Sequence, residues 1–210
     1  LFRSYVKENL IDTKKISGVI LFKRNIESRG QLLSLISYLK ERASDLFASV
    51  DQEGGKVQRL NVSNGFTQFP SAQSMTEKTD EEISHLYGQL AQELKDVGVN
   101  CNLGPVVDVN GSPLCNVIGG FERSFGSDPS RIAYLARLFI QEHSQRGIMT
   151  ALKHFPGHGS ASGDTHEDIV DITSTWDKKE LEPYTELFKV IPPSTMVMTA
   201  HLVNKRRDSN

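Results

Sequence analysis

The sequence predicts an α/β fold with a parallel sheet, of the TIM (β/α)8 type. Short apolar runs alternate along the chain with helical patterns, and this alternation is typical of βα units. The predicted strands are continuous apolar segments, as expected for strands buried on both faces. Polar, glycine-rich segments follow the strands, where barrels and doubly wound sheets both build their sites, and we favour the barrel.

Each element is predicted from its own residue pattern. Apolar residues at helical spacing predict the helices, and Gly98 and Gly147 follow two of them directly. Gly104-Pro105 interrupts the third strand, and Pro183 either kinks the last helix or marks its start. The predicted strands are 18–22, 46–50, 99–109, 148–152 and 195–200. The predicted helices are 31–43, 80–97, 130–146 and 177–190.

The chain length bears on how complete this fold is. The chain has 210 residues, whereas a barrel of this kind takes ~250 residues or more, with eight strands rather than the five predicted here. No internal repeat or low-complexity linker divides the chain, and it begins with Leu1 instead of Met. We therefore expect residues 1–210 to form a single (β/α)-barrel catalytic domain that lacks terminal strands, truncated at its C-terminus and also at its N-terminus.

The composition excludes several classes of protein. Lys and Arg number 24 and Asp and Glu 26, so the net charge of −2 gives no bulk attraction to nucleic acid or anionic membrane. No run approaches the ~20 apolar residues of a membrane helix. The two cysteines, Cys101 and Cys115, are too few for a disulfide framework and indicate a reducing compartment. The G-x-G-x-x-G and Walker spacings are absent, which counts against a nucleotide site.

The segment 153–166, KHFPGHGSASGDTH, carries the densest group of reactive side chains. Asp164 and His166 stand two residues apart, and such positions point the same way in an extended segment. A carboxylate bound to one ring nitrogen fixes the tautomer and leaves the other nitrogen free for proton transfer. The pair alone is more often a surface feature of a loop, but its neighbours in this segment favour an acid/base pair.

A metal site is the competing interpretation of the same histidines. His154 and His158 are four residues apart, a familiar spacing for two zinc ligands on a helix. Pro156 and Gly157 between them disfavour a regular helix there. This weakens the metal interpretation, but a metal-dependent hydrolase using His154, His158 and His201 stays open as an alternative.

Two further segments carry charged groups suited to a saccharide. Asp51 and Glu53 follow a predicted strand. They suit either the acid/base pair of a glycosidase, or one carboxylate that binds sugar hydroxyls and a second that supports it. Arg59, close by, suits polyhydroxylated ligands because carboxylates and guanidinium groups make paired hydrogen bonds. Arg123 lies in a long loop before a helix and offers either a bidentate contact or a structural ion pair.

Taken together, these segments resemble glycoside hydrolase family 3, specifically its bacterial β-N-acetylglucosaminidase branch. The resemblance runs in order over nearly the whole chain, and the last motif is the most specific. The matching stretches are GVILFKRNI at 18–26, VDQEGGKVQRL at 50–60, ERSFGSDP at 122–129 and KHFPGHG with DTH at 153–166.

The resemblance implies roles for individual residues. His166 matches the general acid/base of the family, and Asp164 matches its partner. The family's nucleophile is an aspartate in a Ser-Asp-Asp type motif, and no such motif follows His201, so we expect the nucleophile to lie outside the chain. The positions implied to hold a terminal N-acetylglucosamine are Asp51, Arg59, Arg123, Lys153 and His154.

The resemblance also implies an activity. We expect a retaining exo-β-N-acetylglucosaminidase that forms a covalent glycosyl-enzyme and acts on small saccharides, including peptidoglycan fragments in cell-wall recycling. We expect no cofactor, metal, nucleic-acid or membrane partner, and a bacterial cytoplasmic location, with a secreted or lipid-anchored form left open as the alternative. A catalytically inactive saccharide-binding relative remains the alternative from a different class, and the choice between hydrolysis and transfer to phosphate stays open.

Overall fold

The central feature of the fold is a parallel sheet of five strands. A computed structural model describes residues 11, 16–111, 115–161 and 170–206. The five strands lie side by side in the same order in which they occur in the chain. Those five strands are β1 (Gly18–Leu21), β2 (Phe47–Val50), β5 (Cys101–Asn102), β6 (Met149–Phe155) and β8 (Thr195–Thr199).

Four shorter strands lie outside this sheet. β3 (Gln52–Gly54) and β4 (Val57–Gln58) form an antiparallel hairpin directly after β2. β7 (Val170–Asp171) and β9 (Leu202–Val203) pair in parallel. The hairpin follows β2 with one residue between them, so it lies at the C-terminal end of the main sheet.

Helices connect the strands, and side chains cap their first turns. Ser28, Thr79 and Asp128 each accept a backbone N–H at the start of a long helix. No helix in the described ranges is both long and apolar enough to span a membrane. The α-helices are α1 (Arg29–Arg42), α2 (Ala72–Met75), α3 (Asp80–Asp96), α4 (Pro129–Gln145) and α5 (Glu182–Leu187), and 3-10 turns occupy Lys23–Asn25, Val62–Asn64 and Lys178–Leu181.

The predicted α/β fold with a parallel sheet is confirmed, with two local differences. The helix expected at 177–190 is a 3-10 turn followed by the short α5, because Pro183 lacks an N–H and stands in the first turn of α5. The strand expected at 99–109 pairs only at Cys101–Asn102, since Gly104-Pro105 interrupts it. Val106 then resumes parallel pairing as an isolated bridge to Lys153.

The core lies mainly between the sheet and the helices. One apolar cluster joins β1 and β2 to α1 and α3, and a second joins β6 to α4 and α5. Burial of this apolar area supplies the main driving force for folding, at about 25 cal/mol per Å². The helices therefore hold the strands in register and leave the ends of the strands free to carry polar groups.

Adjacent leucines on α1 provide a matched test of this packing. We expect Leu32→Ala, at a fully buried side chain, to lower the free energy of unfolding by about 3 kcal/mol, because it leaves a cavity in the core. Leu33→Ala, at a side chain that is 45% exposed, serves as the control and should cost less than about 1 kcal/mol. Urea unfolding followed by circular dichroism measures both, and equal losses would contradict the packing described.

Candidate active site

A cavity lined by both charged and apolar side chains lies at the C-terminal ends of the central strands. Its volume is about 710 Å³. Asp51 comes directly after β2, and Lys153 and His154 belong to the end of β6. Because neighbouring parallel strands end at the same edge of a sheet, residues far apart in the chain meet here.

A buried lysine is at the centre of this site. The Lys153 ammonium contacts Asp51 Oδ1 at 2.8 Å and Glu53 Oε1 at 2.6 Å, and its side chain is only 2% exposed. Burial is the largest single influence and acts to raise the pKa of Asp51, but the charge and hydrogen bond of Lys153, together with the charge of Arg59, outweigh burial, and the pKa is lowered. The two carboxylates thus remain ionised and compensate the cost of burying the cation.

Arg123 reaches the same cluster from the loop that precedes α4. Its Nε and Nη2 donate to the two oxygens of Glu53, each at 2.8 Å, in a bidentate pair. Burial alone would raise the pKa of Glu53, but Lys153 and Arg123 hold the pKa at about 2. Glu53 therefore binds two cations and fixes the positions of both.

Arg59 lies at the open side of the cavity. Its Nη2 contacts Asp51 Oδ2 at 3.3 Å, and its side chain is 32% exposed. Asp51 thus accepts hydrogen bonds from Lys153 and Arg59 and lines the cavity with both. Exposed donors beside an ionised carboxylate can bind the hydroxyl groups of a saccharide.

Asp108 orients the two histidines at the end of β6. It is fully buried and accepts from His154 Nδ1 at 2.7 Å and from the backbone N–H of His158 at 2.8 Å. His154 Nε2 in turn lies 3.3 Å from Arg123 Nη2 and accepts a hydrogen bond from it, because the guanidinium can only donate. Burial acts to raise the pKa of Asp108, but its contacts with His154 outweigh burial and lower it.

An irregularity in β6 brings both Lys153 and His154 to the cavity. Consecutive residues in a regular strand point to opposite faces of the sheet. The pairing register with β8 shifts between Lys153 and Phe155, and such a shift re-aims side chains. Both side chains consequently line the same cavity.

The structure brings together all the described residues that the sequence indicated for saccharide binding. The dyad Asp164 and His166 lies outside the described residues. Asp108 was not identified from the sequence as a site residue, although it follows an apolar run in the same way as Asp51 does. The members of the assembled set are Asp51, Arg59, Arg123, Lys153 and His154.

The metal-dependent alternative lacks its ligand set in the part of the chain that the structure describes. No group of three or more His, Cys, Asp or Glu side chains there could hold a metal ion. His154 Nδ1 is engaged by Asp108, and His158 is buried beside Cys115. Burial lowers the pKa of His158 despite the nearby Asp108. His158 is therefore placed to support the loop.

This geometry defines a class of protein: a parallel α/β domain with a charged cavity at the ends of its strands. The model of the glycosyl hydrolase family 3 N terminal domain matches residues 3–210. The chain belongs to this family, and the match confirms the resemblance recognised in its motifs.

Relatives with known names agree with this assignment. A beta-hexosaminidase from Bordetella avium is 38% identical over 205 residues, covering 92% of this chain and 57% of the relative. Beta-hexosaminidase A from Pseudoalteromonas piscicida is 34% identical over 206 residues, covering 92% of this chain and 34% of the relative. The chain thus spans between a third and three-fifths of the length of these two proteins.

Solved structures share the fold. NagZ from Neisseria gonorrhoeae in complex with N-trifluoroacetyl-D-glucosamine matches with a TM-score of 0.84 and 29% identity, covering 97% of this chain and 60% of NagZ. A family 3 beta-N-acetylglucosaminidase from Paenibacillus matches with a TM-score of 0.86 and 29% identity, covering 97% and 39% of the two chains. These structures are similar to the described chain over almost its full length.

The charge cluster predicts a defined dependence of stability on pH. Glu53 takes up a proton near pH 4.5 in the unfolded chain but only near pH 2 in the folded protein. Its stabilising contribution is therefore complete above pH 4.5 and is lost as the pH falls towards 2. We expect Glu53→Gln to lower the free energy of unfolding by about 3 kcal/mol at pH 7, with a smaller loss below pH 4.

Chemical unfolding at a series of pH values measures this difference. Glu77→Gln, at an exposed carboxylate, is the matched control and should change little at any pH. A loss in Glu53→Gln that stays constant from pH 7 to pH 3 would show that the carboxylate charge is not what stabilises the cluster.

Proposed function

We propose that the protein is a retaining exo-β-N-acetylglucosaminidase that removes terminal β-linked N-acetylglucosamine. The observation that carries the proposal is the cavity in which Lys153, Asp51 and Arg59 present complementary charges in a domain of glycosyl hydrolase family 3. Support also comes from relatives named beta-hexosaminidase and from structural neighbours described as beta-N-acetylglucosaminidase.

The sugar-binding groups divide between acceptors and donors. Asp51 offers ionised oxygens to sugar hydroxyls, and Arg59 offers exposed donors at the same wall. Lys153, His154 and Arg123 complete the binding set that we propose, with Glu53 and Asp108 holding these three in place. Fixed donors and acceptors of this kind orient a pyranose ring for reaction.

The chemistry that we propose has two steps. In the first, a carboxylate attacks the anomeric carbon while His166, held by Asp164, gives a proton to the leaving oxygen as its bond to the sugar breaks. In the second, His166 takes a proton from water, whose oxygen attacks the anomeric carbon and releases N-acetylglucosamine and the carboxylate. The attacking carboxylate is assigned to no residue of this chain.

The architecture and setting complete the proposal. The sequential strand order has no reversal, which supports a (β/α)8-type barrel over a doubly wound sheet. The free, buried thiols of Cys101 and Cys115 support a reducing compartment, the bacterial cytoplasm. We propose that the substrates are small saccharides from peptidoglycan, as the family resemblance implies.

The acid/base assignment has a direct test. In the full-length protein, we expect His166→Ala to lower kcat on an aryl β-N-acetylglucosaminide by about 10²–10⁴-fold, because proton transfer is lost from both steps. Substrates with good leaving groups need no proton in the first step, so their loss should be confined to the second. Steady-state and burst kinetics separate the two steps, and wild-type rates on every substrate would refute the assignment.

A separate test addresses the sugar-binding wall. We expect Asp51→Asn to weaken inhibition by N-acetylglucosamine by roughly tenfold or more, because an ionised acceptor in the cavity is lost. Asp45→Asn, at an exposed carboxylate, is the control. Unchanged inhibition in Asp51→Asn would place the sugar elsewhere. Tight saccharide binding without any turnover by the full-length wild type would instead favour the inactive, saccharide-binding alternative.

A further inference from the structure

A buried carboxylate outside the cavity holds the backbone just before the proposed acid/base dyad. Glu180, in the 3-10 turn Lys178–Leu181, is 3% exposed. One of its oxygens accepts the backbone N–H of Gly159 at 2.9 Å, and the other accepts the hydroxyl of Ser160 at 2.5 Å. The nearest member of the dyad, Asp164, comes four residues after Ser160 in the chain.

The turn at 157–160 is closely packed at its two glycines, Gly157 and Gly159. A Cβ on Gly157 would collide with the Glu180 side chain, and the positive φ of +122° at Gly157 also favours glycine. A Cβ on Gly159 would collide with the carbonyl oxygen of Val109. The turn therefore lies between Glu180 on one side and the strand-end segment on the other.

Other contacts hold the segment that contains this turn. Asp108 accepts the backbone N–H of His158, and the Trp176 indole donates to the carbonyl of Pro156 at 3.1 Å. Asp108 also orients His154 within the sugar-binding set. The described part of the loop is thus tied to the proposed sugar-binding residues through Asp108 and to Glu180 through Gly159 and Ser160.

We infer that Glu180 is a positioning residue for the Asp164–His166 acid/base dyad, acting through the turn at 157–160. This inference rests on the proposed function, in which His166 carries the proton. Glu180 does not line the 710 Å³ cavity, so it acts without touching the sugar. Displacing a catalytic group by about 1 Å can cost about 10²-fold in rate, which makes such an anchor consequential.

The surroundings of Glu180 make its ionised form unfavourable for stability, so a positioning role can be distinguished from a stabilising one. Burial raises the pKa of Glu180 to about 7, with the Ser160 hydroxyl opposing the shift and the charge of Asp108 adding to it. Because the folded protein favours the neutral form, the stability that Glu180 contributes is complete below pH 4.5 and is lost as the pH rises through about 7. The other ionisable groups facing Glu180 are Cys115, Tyr184, Asp177 and Lys179.

Three substitutions in the full-length protein test the inference. Glu180→Ala removes both acceptors, and Glu180→Asp keeps the charge but shortens the side chain. We expect each to lower kcat roughly tenfold or more. Glu180→Gln keeps the shape, accepting from Gly159 and donating to Ser160, and should recover kcat to within about threefold of wild type. Glu182→Ala, at an exposed carboxylate two residues on, is the control.

Azide identifies which step is affected. Azide attacks a glycosyl-enzyme without a general base, so it restores turnover where only proton transfer is impaired. We expect azide to restore turnover of an activated aryl substrate by Glu180→Ala and Glu180→Asp, as by His166→Ala. Glu180→Gln should unfold at no lower temperature than wild type at pH 8, since it removes a buried charge.

The outcomes separate the inference from the proposed function. An active wild type whose Glu180→Ala and Glu180→Asp variants keep normal kcat, or lose activity that azide does not restore, overturns the positioning role alone. If Glu180→Ala does not fold, Glu180→Asp still decides the question. A wild type without turnover of any β-N-acetylglucosaminide overturns the proposed function, and the positioning role with it.

Discussion

The site depends on the burial of one cation, Lys153, among residues that are distant from it in the sequence. A buried ammonium is tolerated only when carboxylates compensate it, and here Asp51 and Glu53 lie within 2.8 Å and 2.6 Å. Glu53 also binds Arg123, so the same compensation extends to the loop before α4. Removing any member would leave a buried charge with one partner fewer, which ties the geometry of the cavity to the stability of the fold.

A second set of contacts surrounds this cluster and is centred on buried carboxylates. Asp108 joins His154 to the turn at 157–160, and Glu180 accepts the backbone N–H of Gly159 in the same turn. The two carboxylates differ in their balance of forces. Partners lower the pKa of Asp108, whereas burial raises that of Glu180 to about 7. Residues with opposite shifts close together are typical of functional sites, where shape is maintained at some expense of stability.

The sequence predicted the parallel sheet and part of the proposed sugar-binding set because both follow from local patterns. Apolar runs identify buried strands, and Asp51 and Lys153 are recognisable as the charged residues where such runs end. The family motifs contributed Arg59 and Arg123, whose roles no local pattern specifies. The short α5 was harder to predict, since the helical pattern continues through Pro183 and only the structure shows where the helix begins.

Glu180 could not be identified as a site residue from the sequence, for physical reasons. Glu180 lies in the charged segment 177–182, which resembles an exposed helix face, and its burial arises from packing against the turn that contains Gly157 and Gly159. The register shift in β6 has no local signature, because it depends on the pairing with β8. Tertiary contacts decide such features, and periodicity does not record them.

The pairs that enclose the cavity join distant parts of the chain. Lys153 and Asp51 are separated by 102 positions, Arg123 and Glu53 by 70, and His154 and Asp108 by 46. No single βα unit contains a working fragment of the site, so the cavity comes into being only in the last stages of assembly, when loop-closure entropy has been overcome. A saccharide that binds in this cavity binds only the folded domain and not its separate βα units. Its binding energy therefore adds to the free energy of unfolding of the whole domain.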